Sequence, residues 1–389
     1  MKFGFRFPRS TAAALAALLL LGRAAKTQAD PIIIETHFQG AVAFEMSGFT
    51  GLAEETLRFD FEVAGFKFVE QDKAQFVLSG KNNGSLEGRL FDSAKIPLLE
   101  RGYSADDMRA NAHALADDVI YAIRHEKGIC QTKIAFRQEK EGQSEVAISD
   151  YDGHNVETVT RDGSIIQGPN WVPGAFQVVY TSYKSGFPAT YLQNLSTGSR
   201  RIVTDFPGAN FGPAVSPDGR HMAVILSKTG NVDLFICNVD GSGLRQLTHS
   251  KEDESSPCWS PDGRTICFVG RYGGRAALYT IPFEGGAPNR LSTVGVLNTT
   301  EPDWSPDGKT IVFTCLMGEF NICTVPAAGG VAQILVTGQD PCWAPNSRTV
   351  VFTRQEGYHR RLSLLDVPTK TVKDVRAVSG SCSQPSWAR

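Results

Sequence analysis

The sequence contains 389 residues, 41% of them hydrophobic and 21% charged, with a formal net charge of −2. This length and composition indicate a soluble chain of more than one domain that can bury a large core. Leaving out the first 29 residues removes five basic residues and no acidic one, which lowers the net charge to −7. That sign disfavours nucleic-acid or anionic-membrane binding as the main activity.

The first 29 residues predict a signal peptide. Basic residues near the start precede an apolar run of eleven residues, TAAALAALLLL, and small residues lead to a cleavage point after Ala29. Eleven apolar residues are too few to span a bilayer, and no other stretch approaches the required length. A short buried helix is the alternative interpretation. We therefore expect an exported protein that is not integral to a membrane.

Residues 30–128 contain neither Trp nor Cys and predict a small α/β domain. The predicted elements are strands in QGAVAFEM and FKFVE, a helix in GLAEETLRFDFEVAG, a hairpin around KNNG and a second helix in SADDMRANAHALADDVIYAIRHEKG. On the first helix we expect Leu52, Leu57, Phe61 and Ala64 to lie near one face. We expect Ser104 to cap the second helix, with Asp107 in a capping box and Gly128 just past its end.

Residues 129–389 contain six copies of one motif, which in its complete form reads Pro-x-Trp-Ser-Pro-Asp-Gly. Five copies hold all the tryptophans of the chain in one slot, the remaining copy has valine there, and successive slots are 44, 44, 45, 39 and 44 residues apart. The six positions are Trp171, Val215, Trp259, Trp304, Trp343 and Trp387. Each full copy also predicts four short strands, and four strands in about 44 residues are typical of a β-propeller blade.

The copies are offset at the two ends of this region. The segment that begins at Ile134 supplies three strands of a blade but lacks the Pro-x-Trp strand, whereas residues 384–389, QPSWAR, supply only that strand. We therefore predict six blades closed by pairing the last strand with the early ones, which removes the free sheet edges. The predicted fold is a small α/β N-terminal domain, residues 30–128, followed by a six-bladed all-β propeller, residues 129–389.

Several repeated residues look chemical but have a structural explanation. Asp218, Asp262 and Asp307 recur in register, and Asp at that place stabilises the Ser-Pro-Asp-Gly turn. The tryptophans fill one packing position between neighbouring blades. The histidines of the propeller occupy different repeat positions and do not cluster as metal ligands. The sequence therefore predicts no catalytic residue, no cofactor and no metal site.

All eight cysteines lie at or after Cys130, and export would place them in an oxidising compartment. Cys315 and Cys323 flank a predicted turn, and Cys258 and Cys267 lie on consecutive strands of one blade. Both pairs are candidates for a disulfide. The alternative is that most of the eight are small buried hydrophobic residues, and the sequence leaves the connectivity open.

The repeats and several longer stretches resemble the TolB family, the periplasmic propeller components of the Tol–Pal envelope system. These stretches are ISDYDGHN, LSKTGNVDLFICNVDGSGLRQLT and AHALADDVIYAIRHEKGICQTKIAF. The resemblance implies a monomeric, non-enzymatic protein of the periplasm. It further implies binding to a Pal-like peptidoglycan-associated lipoprotein through the propeller and to a TolA-like inner-membrane protein through the mature N-terminus. These contacts would support outer-membrane integrity and constriction during cell division.

The Trp-Ser-Pro-Asp-Gly repeat also occurs in prolyl-oligopeptidase-like enzymes, so a propeller-containing hydrolase or peptidase-related protein lacking its catalytic domain is the alternative. Such enzymes join the propeller to an α/β-hydrolase domain with a Gly-x-Ser-x-Gly elbow. The sequence contains no Gly-x-Ser-x-Gly, and the 99 residues from 30 to 128 are too few for that domain. We therefore favour an interaction protein.

The loops that lead into the first strand of each blade are expected to gather at the mouth of the central channel. In the family these loops face Pal, and the resemblance places the Pal-like site on Asn210, Phe211, Ser255, Ser256, Thr300, Glu301, Gln339 and Asp340. The family's histidine in the first loop is Ala209 in this chain and its Thr-Glu pair is Ser-Ser, but Thr300–Glu301–Pro302 reproduces the family sequence. We expect an exposed Glu301 carboxylate that contacts a donor or cation on Pal and whose replacement leaves folding unchanged. Ordinary loop polarity is the alternative at any single position.

The mature N-terminus would begin with DPIIIETHF, residues 30–38. Its Pro and β-branched residues suit a strand that adds to the sheet edge of a partner, and they equally suit the first strand of its own domain. The resemblance implies that a TolA-like protein binds at this segment. The candidate residues are Asp30, Pro31, Ile32, Ile33, Ile34 and Glu35.

Overall fold

The structure is a computed structural model that describes residues 40–104, 106–140, 142–375 and 377–389. An α/β region is followed by six four-stranded sheets whose innermost strands surround a channel. The predicted signal peptide and the N-terminal candidate segment lie outside the described residues. Within the described part of the chain, neither α-helix combines the length and the apolarity that crossing a membrane requires.

The α/β region contains a five-stranded sheet and two helices. Its elements are β1 (Val42–Ser47), α1 (Gly51–Val63), β2 (Phe66–Phe68), a 3₁₀ turn (Gln71–Lys73), β3 (Phe76–Lys81), β4 (Leu86–Asp92), β5 (Pro97–Tyr103) and α2 (Met108–Arg124). The strand order is β2-β1-β3-β4-β5, parallel where β1 meets β2 and β3 and antiparallel elsewhere. β3 and β4 form the hairpin that the KNNG sequence predicted.

Two features of this region differ from the sequence-based expectation. Leu52 is 50% exposed, because the buried stripe of α1 runs through Ala53, Leu57 and Phe61, which are spaced four residues apart. β5 has no counterpart among the predicted elements. Its sequence, PLLERGY, is largely exposed on both faces and lacks the alternation that marks a half-buried strand.

The second helix begins and ends at other residues than expected. The carboxylate of Asp107 accepts hydrogen bonds from the backbone N–H groups two and three residues further on, both at 3.0 Å, so Asp107 rather than Ser104 is the N-cap. At the other end His125, with φ of 56°, takes the left-handed conformation that follows α2. Gly128 lies three residues beyond this position.

Six four-stranded sheets form the blades, and within each blade the strands are named in order from the channel outward. Blade 1 contains β31 (Ser381–Trp387), β6 (Lys133–Lys140), β7 (Gln143–Asp150) and β8 (Glu157–Thr158). Blade 2 contains β9 (Ile166–Trp171), β10 (Gln177–Ser182), β11 (Ala189–Asn194) and β12 (Arg200–Thr204). Blade 3 contains β13 (Asn210–Val215), β14 (His221–Leu226), β15 (Asp233–Asn238) and β16 (Arg245–Gln246).

Blade 4 contains β17 (Glu254–Trp259), β18 (Thr265–Gly270), β19 (Ala277–Pro282) and β20 (Asn289–Arg290). Blade 5 contains β22 (Thr299–Trp304), β23 (Thr310–Met317), β24 (Glu319–Pro326) and β26 (Gln333–Thr337). Blade 6 contains β27 (Gln339–Trp343), β28 (Thr349–Glu356), β29 (His359–Asp366) and β30 (Thr371–Asp374). Two further short strands, β21 (Thr293–Val294) and β25 (Gly330–Val331), pair in parallel and link blade 4 to blade 5.

The C-terminal strand closes the propeller as the offset copies predicted. β31 is the innermost strand of blade 1 and pairs antiparallel with β6, so Trp387 lies opposite Ile134. The indole N–H of Trp387 donates to the hydroxyl of Thr132 at 2.7 Å. The predicted fold class, a small α/β domain before a six-bladed propeller, is confirmed.

The repeated Trp and Asp residues have the structural roles predicted for them. The indole N–H of Trp171 in blade 2 donates to the backbone carbonyl of Ser386 in blade 1 at 3.0 Å, so this ring packs between blades. Asp262 accepts hydrogen bonds from the Ser260 hydroxyl at 2.6 Å and from the backbone N–H two residues further on at 3.0 Å. The equivalent Asp residues make the same bonds in two other turns. The Ser-Pro-Asp-Gly corner is therefore held together by its own residues.

All eight cysteines are unbridged, and seven of them are buried. The sulfurs of Cys315 and Cys323 are 3.1 Å apart, but in the register of β23 and β24 Cys315 lies opposite Asn321 and Cys323 opposite Phe313. Residues in such a diagonal relation are typically farther apart at Cα than a disulfide allows. A role as small buried apolar side chains therefore explains this pair better than a bridge does.

The α/β region contacts blades 1 and 6 through shared apolar core and buried polar groups. His113 Nδ1 lies 2.8 Å from Asp60 Oδ2, the Tyr151 hydroxyl donates to the same carboxylate, and Arg109 pairs with Asp152. Tyr151 and Asp152 directly follow β7, the third strand of blade 1. This contact therefore lies at the end of the propeller that carries the Ser-Pro-Asp-Gly turns, which we call the turn end. The first strands of the blades begin at the opposite end, the mouth.

Candidate partner-binding site at the channel mouth

Each blade places one residue at the mouth, immediately before the proline of its innermost strand. These six positions, called the ring, are Gly168, Gly212, Ser256, Glu301, Asp340 and Gln384. All six have left-handed backbone conformations, with φ between 50° and 57°. The pairing of each innermost strand is interrupted at this point, because the proline that follows has no N–H to donate. The resulting bulges place the ring residues against the channel, a cavity of about 600 Å³.

Three hydrogen bonds link four successive ring residues, and in each bond the side chain of one residue accepts from the backbone N–H of the next. The carboxylate of Glu301 accepts from the backbone N–H of Asp340 at 2.9 Å, and the carboxylate of Asp340 accepts from that of Gln384 at 3.2 Å. The side-chain oxygen of Gln384 accepts from the backbone N–H of Gly168 at 2.9 Å. The ring residues of blades 5, 6 and 1 are thus braced by one another, whereas blades 2, 3 and 4 contribute only Gly168, Gly212 and Ser256.

The hairpins around the mouth follow the same division. In blades 5, 6 and 1 the second and third strands are eight residues each and pair almost to the tip. In blades 2, 3 and 4 these strands are six residues each and are joined by irregular loops. One half of the mouth is therefore built from paired strands with polar ring residues, and the other half from loops with small ring residues.

The ring carries two neighbouring carboxyl groups. Burial, together with the nearby Asp340, raises the pKa of Glu301 to about 7. Burial also raises the pKa of Asp340, although hydrogen bonds from Thr353 and Gln384 and the charge of Arg360 oppose that rise. The two groups therefore do not both carry a full negative charge near neutral pH.

A third acid of the channel, Asp303, is neutralised from within the protein. Its carboxylate forms a salt bridge with the guanidinium of Arg389, and it accepts a hydrogen bond from the backbone N–H of Trp343 at 2.7 Å. Within the described residues neither Glu301 nor Asp340 forms a salt bridge. Glu254 also lines the channel, and its carboxylate accepts a hydrogen bond from the backbone N–H of Leu234 at 3.0 Å. The acids of the ring itself are Glu301 and Asp340.

The expectation of an exposed Glu301 carboxylate is wrong. The side chain accepts hydrogen bonds from the Thr314 hydroxyl at 2.7 Å and from the backbone of Asp340, and it belongs to a residue in a left-handed conformation. A side chain with two such contacts stabilises the loop that it lies in. Glu301→Lys would therefore disturb folding.

The structure brings together part of the predicted Pal-like site. The predicted residues that line the channel are Phe211, Ser255, Ser256, Glu301 and Asp340. Asn210 is fully buried, and its amide group is hydrogen-bonded to the backbone of Phe206 and Gly208, so it shapes the loop from within. Thr300 and Gln339 are partly buried, each one residue before a ring member.

Sequence reasoning missed three ring residues, Gly168, Gly212 and Gln384. The signal that finds them is the slot before the motif proline, which is present in all six copies. The TolA-like candidates Asp30, Pro31, Ile32, Ile33, Ile34 and Glu35 lie outside the described residues.

The fold and the mouth together define a six-bladed β-propeller with an N-terminal α/β domain and an asymmetric ring of pre-proline residues. The family profile described as the TolB beta propeller domain matches residues 121–389. The chain belongs to this family.

Relatives and solved structures agree with this assignment. The chain is 34% identical over 153 residues to "Tol-Pal system protein TolB" of Anaeromyxobacter dehalogenans (strain 2CP-C), which covers 39% of this chain and 35% of that protein. The protein of the same name from Anaeromyxobacter sp. (strain K) is 33% identical over an equally long match. The matched segment thus spans about a third of the length of these curated relatives.

Two solved structures bear on the fold. TolB from Acinetobacter baumannii superposes with a TM-score of 0.81 at 24% identity, and the match covers 90% of this chain and 96% of that one. A putative TolB from Agrobacterium tumefaciens gives a TM-score of 0.52 at 20% identity, covering 63% of this chain and 89% of that one. At these identities the likeness concerns architecture, and it extends over the α/β region as well as the propeller in the first case.

Proposed function

We propose that this chain is a non-enzymatic, monomeric component of a Tol–Pal system in the periplasm. It binds a Pal-like lipoprotein at the channel mouth and a TolA-like inner-membrane protein through residues 30–35. In this way it supports outer-membrane integrity and constriction during cell division. Membership of the TolB propeller family and the names of the curated relatives support the proposal.

The observation that carries the proposal is the ring. Protein ligands bind best to preorganised groups, because little conformational entropy is lost on binding. The side chains of Glu301, Asp340 and Gln384 each accept a hydrogen bond from the backbone N–H of the next ring residue, at the end of the propeller away from the α/β region. The mouth therefore offers preorganised polar groups that border the channel cavity and are partly buried.

Isothermal titration calorimetry of the mature chain against the Pal homologue from the same genome tests the mouth. We expect saturable one-to-one binding that Glu301→Gln weakens by roughly 10- to 100-fold, since an interfacial charge is lost while the side-chain shape is kept. Asp262→Asn is the control, because it alters a turn at the far end and should lower thermal stability without changing affinity. The proposal fails if the folded parent shows no binding, or if Glu301→Gln binds as tightly as the parent.

The N-terminal contact is tested separately by deleting residues 30–35 from the mature chain. The deletion should abolish co-purification with the TolA-like protein and leave the affinity for the Pal homologue unchanged. Unchanged co-purification would remove this part of the proposal and leave the mouth site standing.

A further inference from the structure

Beside the ring, the hairpin of blade 5 exposes a group of large apolar side chains. Leu316, Met317 and Phe320 are 40%, 46% and 46% exposed, and Leu297 in the loop leading to β22 is 50% exposed. These four residues are called the blade 5 tip. β23 and β24 pair up to a single-residue turn at Gly318, and the backbone N–H of Leu316 donates to the carbonyl of Asn298 at 3.2 Å. The tip is therefore a fixed surface.

Two residues of the blade 5 tip, Leu316 and Phe320, are linked to Glu301 and Asp340 through neighbouring residues of the sheet. Leu316 lies two residues after Thr314, and so on the same face of β23, and it faces Phe320 across the hairpin. The Thr314 hydroxyl donates to the carboxylate of Glu301. The backbone carbonyl of Phe320 accepts from the N–H of Gly338 at 2.9 Å, two residues before Asp340. The hairpin that carries this apolar pair is thus hydrogen-bonded to Glu301 through Thr314 and to the segment before Asp340 through Phe320.

We infer that the blade 5 tip and the carboxyl groups of Glu301 and Asp340 form one binding site for a lysine or arginine side chain of the protein partner, with apolar residues beside it. Lysine and arginine have an apolar stem and a cationic head. The stem would pack on Leu316 and Phe320 while the head reaches the carboxylates. This inference rests on the proposed function for the identity of the partner as a Pal-like lipoprotein.

Charge complementarity argues for a cationic occupant. Asp303 already has its guanidinium partner in Arg389, whereas the two ring carboxyl groups lie side by side without a salt bridge among the described residues. Two adjacent carboxylates repel each other, and a cation between them removes the repulsion. The charge of Arg360 lowers the pKa of Asp340, and among the described residues no salt bridge joins these two side chains.

The structure supplies a matched control for the apolar part. Val294 and Val331 lie opposite each other in the β21–β25 pair and are 57% and 68% exposed. Val331 borders a cleft beside Asp307 and Lys309 of a Ser-Pro-Asp-Gly turn, so this pair is at the turn end. It is an exposed cross-strand apolar pair like that of Leu316 and Phe320, but it is remote from the mouth.

The first test compares two double variants of the mature chain by calorimetry against the Pal homologue. Leu316→Ser with Phe320→Ser should weaken binding about 10- to 100-fold, and Val294→Ser with Val331→Ser should change it less than about twofold. Melting curves should show both variants folded. Parent-like affinity of the first variant would overturn the inference while leaving the proposed function intact.

The second test does not depend on the Pal homologue. Methyl NMR of the mature chain follows titration with acetyl-Leu-Lys-Leu-amide and with the same peptide carrying norleucine in place of lysine. The lysine peptide should shift the methyl signals of Leu316 and Met317, and the shift should disappear in the Glu301→Gln/Asp340→Asn variant. Equal shifts from both peptides, or none from either, would overturn the inference. Absence of Pal binding by the parent would instead count against the proposed function.

Discussion

The residue before each motif proline has a left-handed backbone conformation, and this conformation affects which residue types are stable at that position. Glycine takes this conformation without strain, whereas other residues adopt it at a cost on the order of 1 kcal/mol. Ser256, Glu301, Asp340 and Gln384 all bear this cost. Three of them offset it with hydrogen bonds to the next ring residue. The braced half of the ring is therefore built from residues that local propensity alone would not place there.

Glu301 should make the stability of the protein depend on pH. Its folded-state pKa, about 7, is above the ordinary value of 4.5, so the folded state holds its proton more tightly than the unfolded state. Stability should fall as pH rises from about 4.5 to about 7. Glu301→Gln should abolish this loss and be more stable than the parent above pH 7, by on the order of 1–3 kcal/mol.

Denaturant unfolding of the parent and Glu301→Gln between pH 4 and pH 8 measures this difference. Glu157→Gln, in the exposed strand β8, is the control and should follow the parent at every pH. A constant offset between parent and Glu301→Gln across the range would contradict the assignment.

At the scale of elements, the regular spacing of the motif made the blades predictable. Four strands per copy and the exchange of the last strand into blade 1 follow from the repeat and its offset, and both are present in the structure. β5 was not predicted, because an edge strand that is exposed on both faces lacks the alternation of apolar and polar residues. The hydrogen bonds between ring residues could not be predicted either, because they depend on the distance between neighbouring blades. The sequence of a single repeat does not specify that distance. Of the ring, the sequence shows only the position before each motif proline.

The closing strand should tolerate little change at Trp387. Its ring is buried between blades and its indole N–H donates to Thr132. Trp387→Ala should lower the free energy of unfolding by about 3–5 kcal/mol, because it leaves a cavity at the strand that closes the propeller. Trp387→Phe keeps an aromatic ring and should cost much less. Thermal melts of both variants compare them, and equal stability of Trp387→Ala and the parent would show that β31 is not needed for closure.

At the scale of the whole molecule, the α/β region is attached to the propeller through ionisable groups. Burial alone would lower the pKa of His113, but Asp152 at 3.5 Å and Asp60 at 2.8 Å raise it to about 9. His113 is therefore a cation at neutral pH, enclosed by two acids from different parts of the chain. Asp60 belongs to α1 and Asp152 follows β7, so the imidazolium joins the two parts.

His113 should give the molecule a second pH dependence, in a different window. A raised histidine pKa stabilises the folded state fully below about 6.5, and this stabilisation is lost as pH rises through about 9. The parent should lose on the order of 2 kcal/mol over this range, and His113→Gln should lose much less. Denaturant unfolding of both proteins from pH 6 to pH 10 gives the comparison. Parallel curves for the two proteins would show that the imidazolium does not hold the contact.

The pairing of the C-terminal strand β31 with β6 in blade 1 also affects how the propeller would carry a mechanical load. The α/β region is attached at the turn end of blades 1 and 6, and the candidate site lies at the mouth. In the proposed function the two partners are anchored in different membranes, so tension between them would run along the innermost strands. β31 and β6 would then be loaded in shear, and their backbone hydrogen bonds would have to break together rather than one after another. Under the proposed function, a propeller closed by its last strand would bear this load without opening.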